Sequence, residues 1–355
     1  MQIMVLNTDL IPIAILESYE SFIWTDRYNQ CGDFEIYTPM TYGILDIIKQ
    51  DYYLVNSESE HAMIIEKLLI TSDTETGKHL TATGRSLESI LTRRIVWGTR
   101  TLRGNFQNAI ETLLNENIIS PSTTNRQIPN FVFEASDDPI ITALTIDAQY
   151  TGDELYEIIY KACTERNIGF KVTLNDNNQF VFKLYAGVDR SYEQSVNPYV
   201  IFSPSFDNII NSNYIESKLS LKNVTLIGGE GEGSSKIFTS VGSMSGLNRR
   251  EIFTDASGVS SEVDNVKLTD DEYNALLREK GKETLSENSE ITSFEGQVET
   301  SMMFKYGEDF FNGDIVQIAN EYGHETKSRI IEIVISENEE GYSVYPTFET
   351  VQEGE

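Results

Sequence analysis

One glycine-rich segment has residue types that could hold a phosphate group. The segment GGEGEGSSK, residues 228–236, follows an apolar run as a phosphate-binding loop would. Counting from Gly229, the third glycine of the G-x-G-x-x-G pattern falls on Ser234, and Glu230 and Glu232 would place carboxylates beside phosphate oxygens. We therefore interpret the segment as a flexible acidic loop and predict no bound cofactor.

A second segment has the start of a zinc-binding pattern. His324-Glu325 begins a zincin-like string, but the position of its second histidine is occupied by Ser328. The only other histidines are His61 and His79, far away in sequence. The sequence predicts no metal site, and His324 is interpreted as a turn residue.

The two cysteines lack the spacing of a redox or metal motif. Cys163 lies on the apolar stripe of a predicted helix, which is typical of an inert core thiol. Cys31 adjoins Gly32 at a predicted turn, with no histidine nearby to act as a base. We expect both thiols to be reduced and predict no catalytic cysteine.

Carboxylate pairs are too abundant to indicate a glycosidase. Among 56 acidic residues, Asp137-Asp138, Asp153-Glu154 and Asp270-Asp271 have ordinary roles in loops or at helix N-termini. Sugar-processing clefts usually display tryptophans, and this chain has only Trp24 and Trp97. We predict no catalytic residues and a protein that is not an enzyme.

One cluster of basic side chains is unusual for so acidic a chain. Five arginines fall within 19 residues, with one acidic residue among them: Arg85, Arg93, Arg94, Arg100 and Arg103. Nucleic-acid contact is one interpretation. Contact with an acidic surface on a neighbouring subunit is favoured, because the chain supplies many carboxylates and arginine binds them with two hydrogen bonds.

The charge of the whole chain excludes some partners. With 27 basic and 56 acidic residues among 355, the formal charge is −29, and the part from Glu251 onward carries 25 acidic and 7 basic residues. Such a surface repels DNA and anionic lipid, which disfavours a nucleic-acid-binding or membrane-surface role. No run of 18 apolar residues occurs, and the start lacks a basic segment, so we predict neither a membrane span nor a secretory signal.

The composition favours strands, and the length suggests two to four folding units. Alternating apolar residues predict seven strands in the first 97 residues, indicating a small antiparallel barrel or sandwich: Ile3–Leu6, Ile11–Leu16, Phe22–Asp26, Asp33–Tyr37, Tyr52–Asn56, Met63–Thr71 and His79–Thr83.

Helical periodicity appears in three places. Apolar residues from Phe106 to Ile118 predict an amphipathic helix, and Thr151 and Thr269 each open a segment with capping-box spacing. A hairpin with its turn at Asn175–Asn178 follows the second helix. We therefore predict a first barrel, an α+β insert, and a second barrel interrupted by a loop-helix insertion, with these boundaries: 1–97, 98–190, 191–227 with 292–355, and 228–291.

Three separated segments resemble one protein family. FKYGEDFFNGDIVQIANEYGHETKSRIIEIVISENEEGYSVYPTFE, residues 304–349, predicts a hairpin with strands at Asp314–Asn320 and Arg329–Ile335. This segment resembles the C-terminal segment of the siphophage tail-hub family, which is related to the central baseplate hub of contractile phages. The resemblance lies in the aromatic residues before the first strand, the Gly-Asp pair that opens that strand, and the Arg-Ile-x-Glu sequence of the second strand. FIWTDRYNQCGDFEIYTP (22–39) and GRSLESILTRRIVW (84–97) resemble the family's opening barrel.

The resemblance implies a mainly β fold with two tandem antiparallel barrels. It also implies a non-enzymatic subunit of the tail tip in the virion, forming a trimeric, pseudo-hexameric ring that contacts tail-tube, distal-tip, fibre or receptor-binding proteins. Assembly would take place in the host cytoplasm. The alternatives are a tail-associated enzyme that degrades cell walls, which needs a catalytic constellation, and a receptor- or carbohydrate-binding module, which needs an exposed aromatic cluster.

Overall fold

A computed structural model describes residues 2–16, 18–75, 77–263, 265–298, 303–319 and 325–351; the side chains of 211 and 212 lie outside the description. The fold is mainly β, as predicted. Contacts divide the chain into two compact units. The first comprises Met1–Ser89, Gly169–Tyr214 and Ser293–Glu355, and the second comprises Ile90–Ile168 and Ile215–Thr292.

The strands are numbered in chain order. They are β1 (Ile3–Leu6), β2 (Pro12–Leu16), β3 (Ser21–Arg27), β4 (Asp33–Pro39), β5 (Tyr53–Asn56), β6 (Ala62–Asp73), β7 (Gly77–Ser86), β8 (Thr99–Asn105), β9 (Phe131–Glu134), β10 (Thr145–Thr151), β11 (Gly169–Leu174), β12 (Phe180–Tyr185), β13 (Ile201–Phe202), β14 (Ile209–Ser217), β15 (Val224–Gly228), β16 (Phe238–Val241), β17 (Glu251–Asp255), β18 (Glu262–Val263), β19 (Val266–Lys267), β20 (Ile291–Val298), β21 (Ile315–Ala319), β22 (Glu325–Asn338) and β23 (Gly341–Thr350).

The helices are fewer. The α-helices are α1 (Ile44–Ile47), α2 (Phe106–Leu114), α3 (Pro139–Ala143), α4 (Leu155–Glu165) and α5 (Asp270–Ser286), and a π turn at Asn115–Ile119 continues α2. Short 3-10 turns lie at Leu87–Arg93, Thr124–Arg126, Pro204–Phe206, Gly233–Ser235 and Gly246–Asn248.

Within the described residues, one sheet holds strands from both ends of the chain. Its order is β14-β20-β23-β22-β3-β4-β7-β6-β5-β1-β2, and β21 joins β13 to β22. All seven strands predicted before residue 97 are present. The segments predicted to form two barrels thus contribute to a single sheet, and two separate closed barrels are not confirmed because β22 pairs with strands of both segments.

Strand β22 is long enough to pair with strands in both halves of this sheet. Its first part pairs with β21, from Ile315 opposite Arg329 to Ala319 opposite Glu325. This is the predicted C-terminal hairpin, whose turn at 320–324 lies outside the described residues. Further along, β22 pairs with β3, while β23 pairs with its other edge from Ser328 to Asn338. A bulge near Ile331 shifts the register between the two parts.

The core of the first unit follows from the alternation of apolar residues along these strands. Phe22 and Trp24 of β3 are fully buried, and so are Ile333 and Ile335 of β22. They belong to one continuous cluster that also contains residues of β1, β4, β6, β7, β20, β21 and β23. The N-terminal and C-terminal strands therefore share one apolar core.

The second unit pairs β8 with β10 and places β15 between β16 and β17. A separate apolar cluster joins this small sheet to α5 through Ile227, Tyr273 and Leu277. The amphipathic helix from Phe106 is present as predicted, with its apolar stripe buried. The carboxylates of Asp270 and Asp271 lie in the first turn of α5.

One predicted capping box is confirmed and one is wrong. Thr269 accepts a hydrogen bond from the Glu272 amide, and the Glu272 carboxylate accepts one in return. Thr151 instead ends β10, where its amide donates to Asp153 at 2.8 Å, and α4 begins only at Leu155. Strand pairing with β8 occupies Thr151, so spacing alone misplaced this helix start.

Candidate assembly site

The C-terminal motif forms one hydrogen-bonded cluster in the first unit. Gly313 has a φ of 93°, and a β-carbon there would lie 2.5 Å from the ring of Tyr28. The Asp314 carboxylate accepts from the amide of Val188 at 2.8 Å and from Arg190 Nε at 2.7 Å. Gly313 therefore allows the chain to turn close to Tyr28. Asp314 binds the segment that follows β12 through Val188 and Arg190.

Arg329 completes this cluster from β22. Its Nη1 donates to the carbonyl oxygens of Ala186 at 2.6 Å and Gly313 at 2.9 Å, and to the hydroxyl of Tyr28 at 3.2 Å. The guanidinium also lies 4.9 Å from the centre of the Tyr28 ring. The motif's arginine thus holds three segments of its own chain together.

The five arginines predicted to lie at an interface are divided between the two units. Arg85, on β7 of the first unit, donates from Nε and Nη2 to both oxygens of Glu66 at 2.8 Å. This pair is exposed and bidentate, and Glu66 lies in the same unit. The other four belong to the second unit: Arg93, Arg94, Arg100 and Arg103.

Arg100 and Arg103 pair with carboxylates of their own unit. On β8, Arg100 contacts Glu116 at 2.7 Å, and Arg103 contacts Asp147 at 3.3 Å and Glu272 at 3.0 Å. All these side chains are roughly two-fifths exposed, so water screens the pairs and each contributes little to stability.

Arg94 has a structural contact that sequence did not indicate. Its Nε donates to the carbonyl of Arg126 at 2.7 Å, and Arg126 in turn lies 4.9 Å from the centre of the Trp97 ring. Trp97 is 72% exposed, and Arg93 is exposed nearby in sequence. This surface, which we call the Trp97 patch (Arg93, Arg94, Trp97 and Arg126), combines residue types that dominate protein interfaces.

Substitutions in the Trp97 patch test the interface hypothesis. We expect Arg93→Glu to weaken assembly at least roughly tenfold if the patch meets an acidic neighbour, because like charges would then face each other. Arg94→Glu should instead lower thermal stability, since the Arg126 carbonyl loses its donor. The measurements are sedimentation of assembled particles and thermal melting.

Arg278→Glu is the matched control, because Arg278 is an exposed arginine of the same unit on α5. It makes the same change of charge outside the patch. Equal assembly of the Arg93→Glu and Arg278→Glu proteins at low and high salt would remove the patch from the interface.

The cysteines and the glycine-rich loop, which were weighed as catalytic or phosphate-binding groups, have structural roles. Cys31 and Cys163 are both buried, and burial raises the pKa of the Cys163 thiol. In the glycine-rich loop, Glu230 accepts from the amide of Ser261 at 3.1 Å and from its hydroxyl at 2.6 Å, which lowers the pKa of Glu230. The glycine-rich loop is therefore hydrogen-bonded to the segment that contains Ser261. His324 lies outside the described residues.

The structure contains a buried charge pair that the sequence did not predict. His61 Nδ1 lies 3.2 Å from Glu88 Oε1, and the side chains are 3% and 0% exposed. The same oxygen accepts from the Val172 amide at 2.7 Å. Burial lowers the pKa of His61, but the charges of Asp26 and Glu88 outweigh it and raise this pKa to about 9. His61 is therefore charged at neutral pH.

The described residues hold neither a cluster of metal ligands nor a membrane-spanning helix. Those residues contain no cluster of three or more His, Cys, Asp or Glu side chains placed to hold a metal ion. None of the helices in the described part of the chain is long and apolar enough to cross a membrane.

The sequence matches one family model over nearly its whole length. The model is described as Siphovirus ReqiPepy6 Gp37-like protein, and it covers residues 2–348. The chain belongs to this family. Among curated proteins, no significant match was found. The predicted resemblance to tail-hub proteins is thereby confirmed at the level of the family.

Solved structures share the fold along the full chain. The prophage MuSo2 43 kDa tail protein from Shewanella oneidensis has a TM-score of 0.60 at 12% identity, covering 98% of both chains. The tail protein from Neisseria meningitidis MC58 has a TM-score of 0.58 at 12% identity, covering 99% of this chain and 97% of that one. Prophage tail protein gp18 from Listeria monocytogenes EGD-e has a TM-score of 0.55 at 13% identity, covering 100% and 96%. At these identities the likeness shows a shared fold, which is also the fold of these tail proteins.

Proposed function

We propose that this protein is a structural subunit of the tail-tip hub and forms a trimeric ring. Three copies, each with two barrel-like strand blocks, would present six similar elements to the six-fold tail tube and connect it to distal tip, fibre or receptor-binding proteins. The two barrels would close only in the ring, where strands of neighbouring copies complete the sheet. The protein would assemble in the host cytoplasm and reside in the virion tail.

The observation that carries the proposal is an apolar sheet edge. Among the described strands, β2 pairs with β1 alone and ends the large sheet. Three isoleucines along this edge are exposed: Ile11 by 55%, Ile13 by 42% and Ile15 by 52%. A free edge with exposed apolar side chains is a template for pairing with another chain. A neighbouring subunit would satisfy both its hydrogen bonds and its side chains.

The charge of the chain fits a conduit for DNA. Three copies would together carry three times the formal charge of −29. A channel bordered by carboxylates repels the phosphate backbone, so DNA would pass through without specific binding.

Ring formation is tested by one substitution on the edge strand. We expect the purified protein, alone or docked on tail components, to form a trimer in native mass spectrometry and a three-fold ring in electron microscopy. Ile13→Lys should weaken assembly more than roughly tenfold, because burying one isoleucine contributes about 1.5 to 3 kcal/mol.

Ile23→Lys is the control, since Ile23 is 36% exposed on β3 and is paired there with β22 on one side and β4 on the other. It should assemble normally. A protein that stays monomeric with every tail component, or an Ile13→Lys protein that forms rings as well as the control, would refute the proposal.

We also propose that the subunit has no hydrolytic activity. Cys163 is enclosed within a helix packing face, and the carboxylate pairs lie at helix starts or in turns, as at Asp138, which accepts from the Ile140 amide. Zymography on several bacterial cell walls should therefore show no clearing. Lysis that disappears when one carboxylate is substituted would establish the enzyme alternative.

A further inference from the structure

A cavity of about 680 Å³ in the first unit contains an unsatisfied amide. It lies between the turn that precedes β6, the segment 305–312 and the start of β23. Asn312 lines this cavity and is only 7% exposed, yet neither atom of its amide group has a hydrogen-bond partner in the described part of the chain. Leaving a buried amide unpaired is costly, so its presence indicates a missing partner group.

Carboxylates surround the same cavity. Glu58, Glu60 and Glu308 line it. Lys171 contacts Glu60 at 2.5 Å and Lys305 contacts Glu308 at 3.3 Å, so two of the three glutamates already have a cation. Glu58 has no lysine or arginine partner among the described residues.

A further acidic group lies beneath the cavity wall. Asp26 is fully buried and accepts from three neutral donors: Trp24 Nε1 at 2.9 Å, Ser59 Oγ at 2.8 Å and the Tyr306 hydroxyl at 2.8 Å. Ser59 and Tyr306 both line the cavity. Burial and then the charge of Asp26 raise the pKa of Tyr306. Asp26 therefore places a carboxylate beneath the cavity floor, and the charged His61 nearby offsets part of its field.

Tyr342, on the β23 side of the cavity, is hydrogen-bonded to Glu58. Burial and then a hydrogen bond to Glu58 raise the pKa of Tyr342. Phe311 adds an aromatic ring that is 43% exposed at the cavity. Carboxylates, an unpaired carbonyl oxygen and an aromatic face together are the groups that bind an ammonium or guanidinium.

We propose that this cavity binds the cationic side chain of a lysine or arginine from a partner polypeptide. Asn312 Oδ1 would accept from the cation, Asn312 Nδ2 would donate to a carbonyl of the partner, and Glu58 would supply the unpaired negative charge. A saccharide would satisfy the amide and stack on Phe311, but it would leave the negative field uncompensated. This inference is independent of ring formation, because every group belongs to the first unit of one chain.

The test measures binding of an acetylated hexa-arginine peptide to the full chain by calorimetry, with hexaglutamate and chitotriose as comparison probes. We expect saturable binding of hexa-arginine at low salt that weakens as salt rises. Asn312→Leu and Glu58→Gln should each weaken it roughly tenfold or more, whereas Glu75→Gln, a charge-matched change on the turn after β6, should weaken it less than about twofold. Thermal melts show that each variant is folded.

Three outcomes would overturn the proposal. Equal affinity of the two cavity variants and the Glu75→Gln protein would mean that hexa-arginine binds the acidic surface as a whole. Tighter binding of chitotriose than of hexa-arginine would identify a saccharide site instead. Absence of any binding at low salt would exclude a cation site. None of these results depends on whether the protein forms rings.

Discussion

A chain that ends at residue 312 is expected not to fold. It would lack β21, β22 and β23, and with them a strand that pairs on one edge with both β21 and β3. Several lost side chains are fully or almost fully buried in the shared core, including Ile330, Ile333 and Phe348. Each contributes about 1.5 to 3 kcal/mol, against a typical total stability of about 5 to 15 kcal/mol.

Circular dichroism and differential scanning calorimetry of the truncated protein would measure this effect. We expect no cooperative transition and aggregation through the exposed edge of β3. A chain that ends at Val351 keeps every described strand and should melt like the full-length protein. A soluble, cooperatively folded 1–312 protein would show that the C-terminal hairpin is an appendage and would contradict the shared-core architecture.

Stability is expected to fall as the pH rises from about 6.5 to about 9. The folded-state pKa of His61 is raised to about 9 from its ordinary value of 6.5. A raised histidine pKa contributes stability that is complete below the unfolded pKa and is lost as the pH passes the folded pKa. The shift corresponds to roughly 3 kcal/mol. The pKa of Glu88 is lowered, so its contribution is lost in acid instead.

Substitution of either member of this pair should change both stability and its pH dependence. Glu88→Gln removes the carboxylate that contacts the buried His61 and leaves only the charge of Asp26, so it should destabilise the protein by about 3 kcal/mol at neutral pH. His61→Gln should remove the fall in stability between pH 6.5 and 9. Both effects are measured by urea denaturation at several pH values.

His79→Gln is the control, because His79 is also largely buried but lies 3.3 Å from the partly exposed Glu20. That protein should keep the wild-type pH dependence above pH 6.5. If the His61→Gln protein loses stability between pH 6.5 and 9 as steeply as the wild type does, His61 does not carry the dependence.

Local pattern predicted the elements of this protein well. Alternation of apolar residues located the seven N-terminal strands and the hairpin of β21 and β22, because a strand with one buried face imposes a period of two. Helical spacing located α2, and the Thr269 capping box located the start of α5, since both depend on contacts within a few residues. Thr151 was misread because a distant strand, β8, pairs with it.

The sequence predicted the candidate site less completely than it predicted the strands and helices. The cluster of arginines was visible, but their partners were not: Glu272 is far from Arg103 in sequence, and the carbonyl of Arg126 carries no sequence signal at Arg94. The cavity at Asn312 and the pair of His61 with Glu88 also join distant segments. Residue types alone do not reveal that an amide is unpaired or that a carboxylate is buried.

The sequence by itself determined the mainly β class, the positions of the strands, the acidic charge and the resemblance to tail-hub proteins. These properties depend on local periodicity, composition and short motifs. Only the tertiary structure decided that β22 pairs with both β3 and β21, so that the two strand blocks share one sheet and one core. Pairing between strands some 300 residues apart depends on complementary edges and burial across the whole fold, which no local pattern specifies.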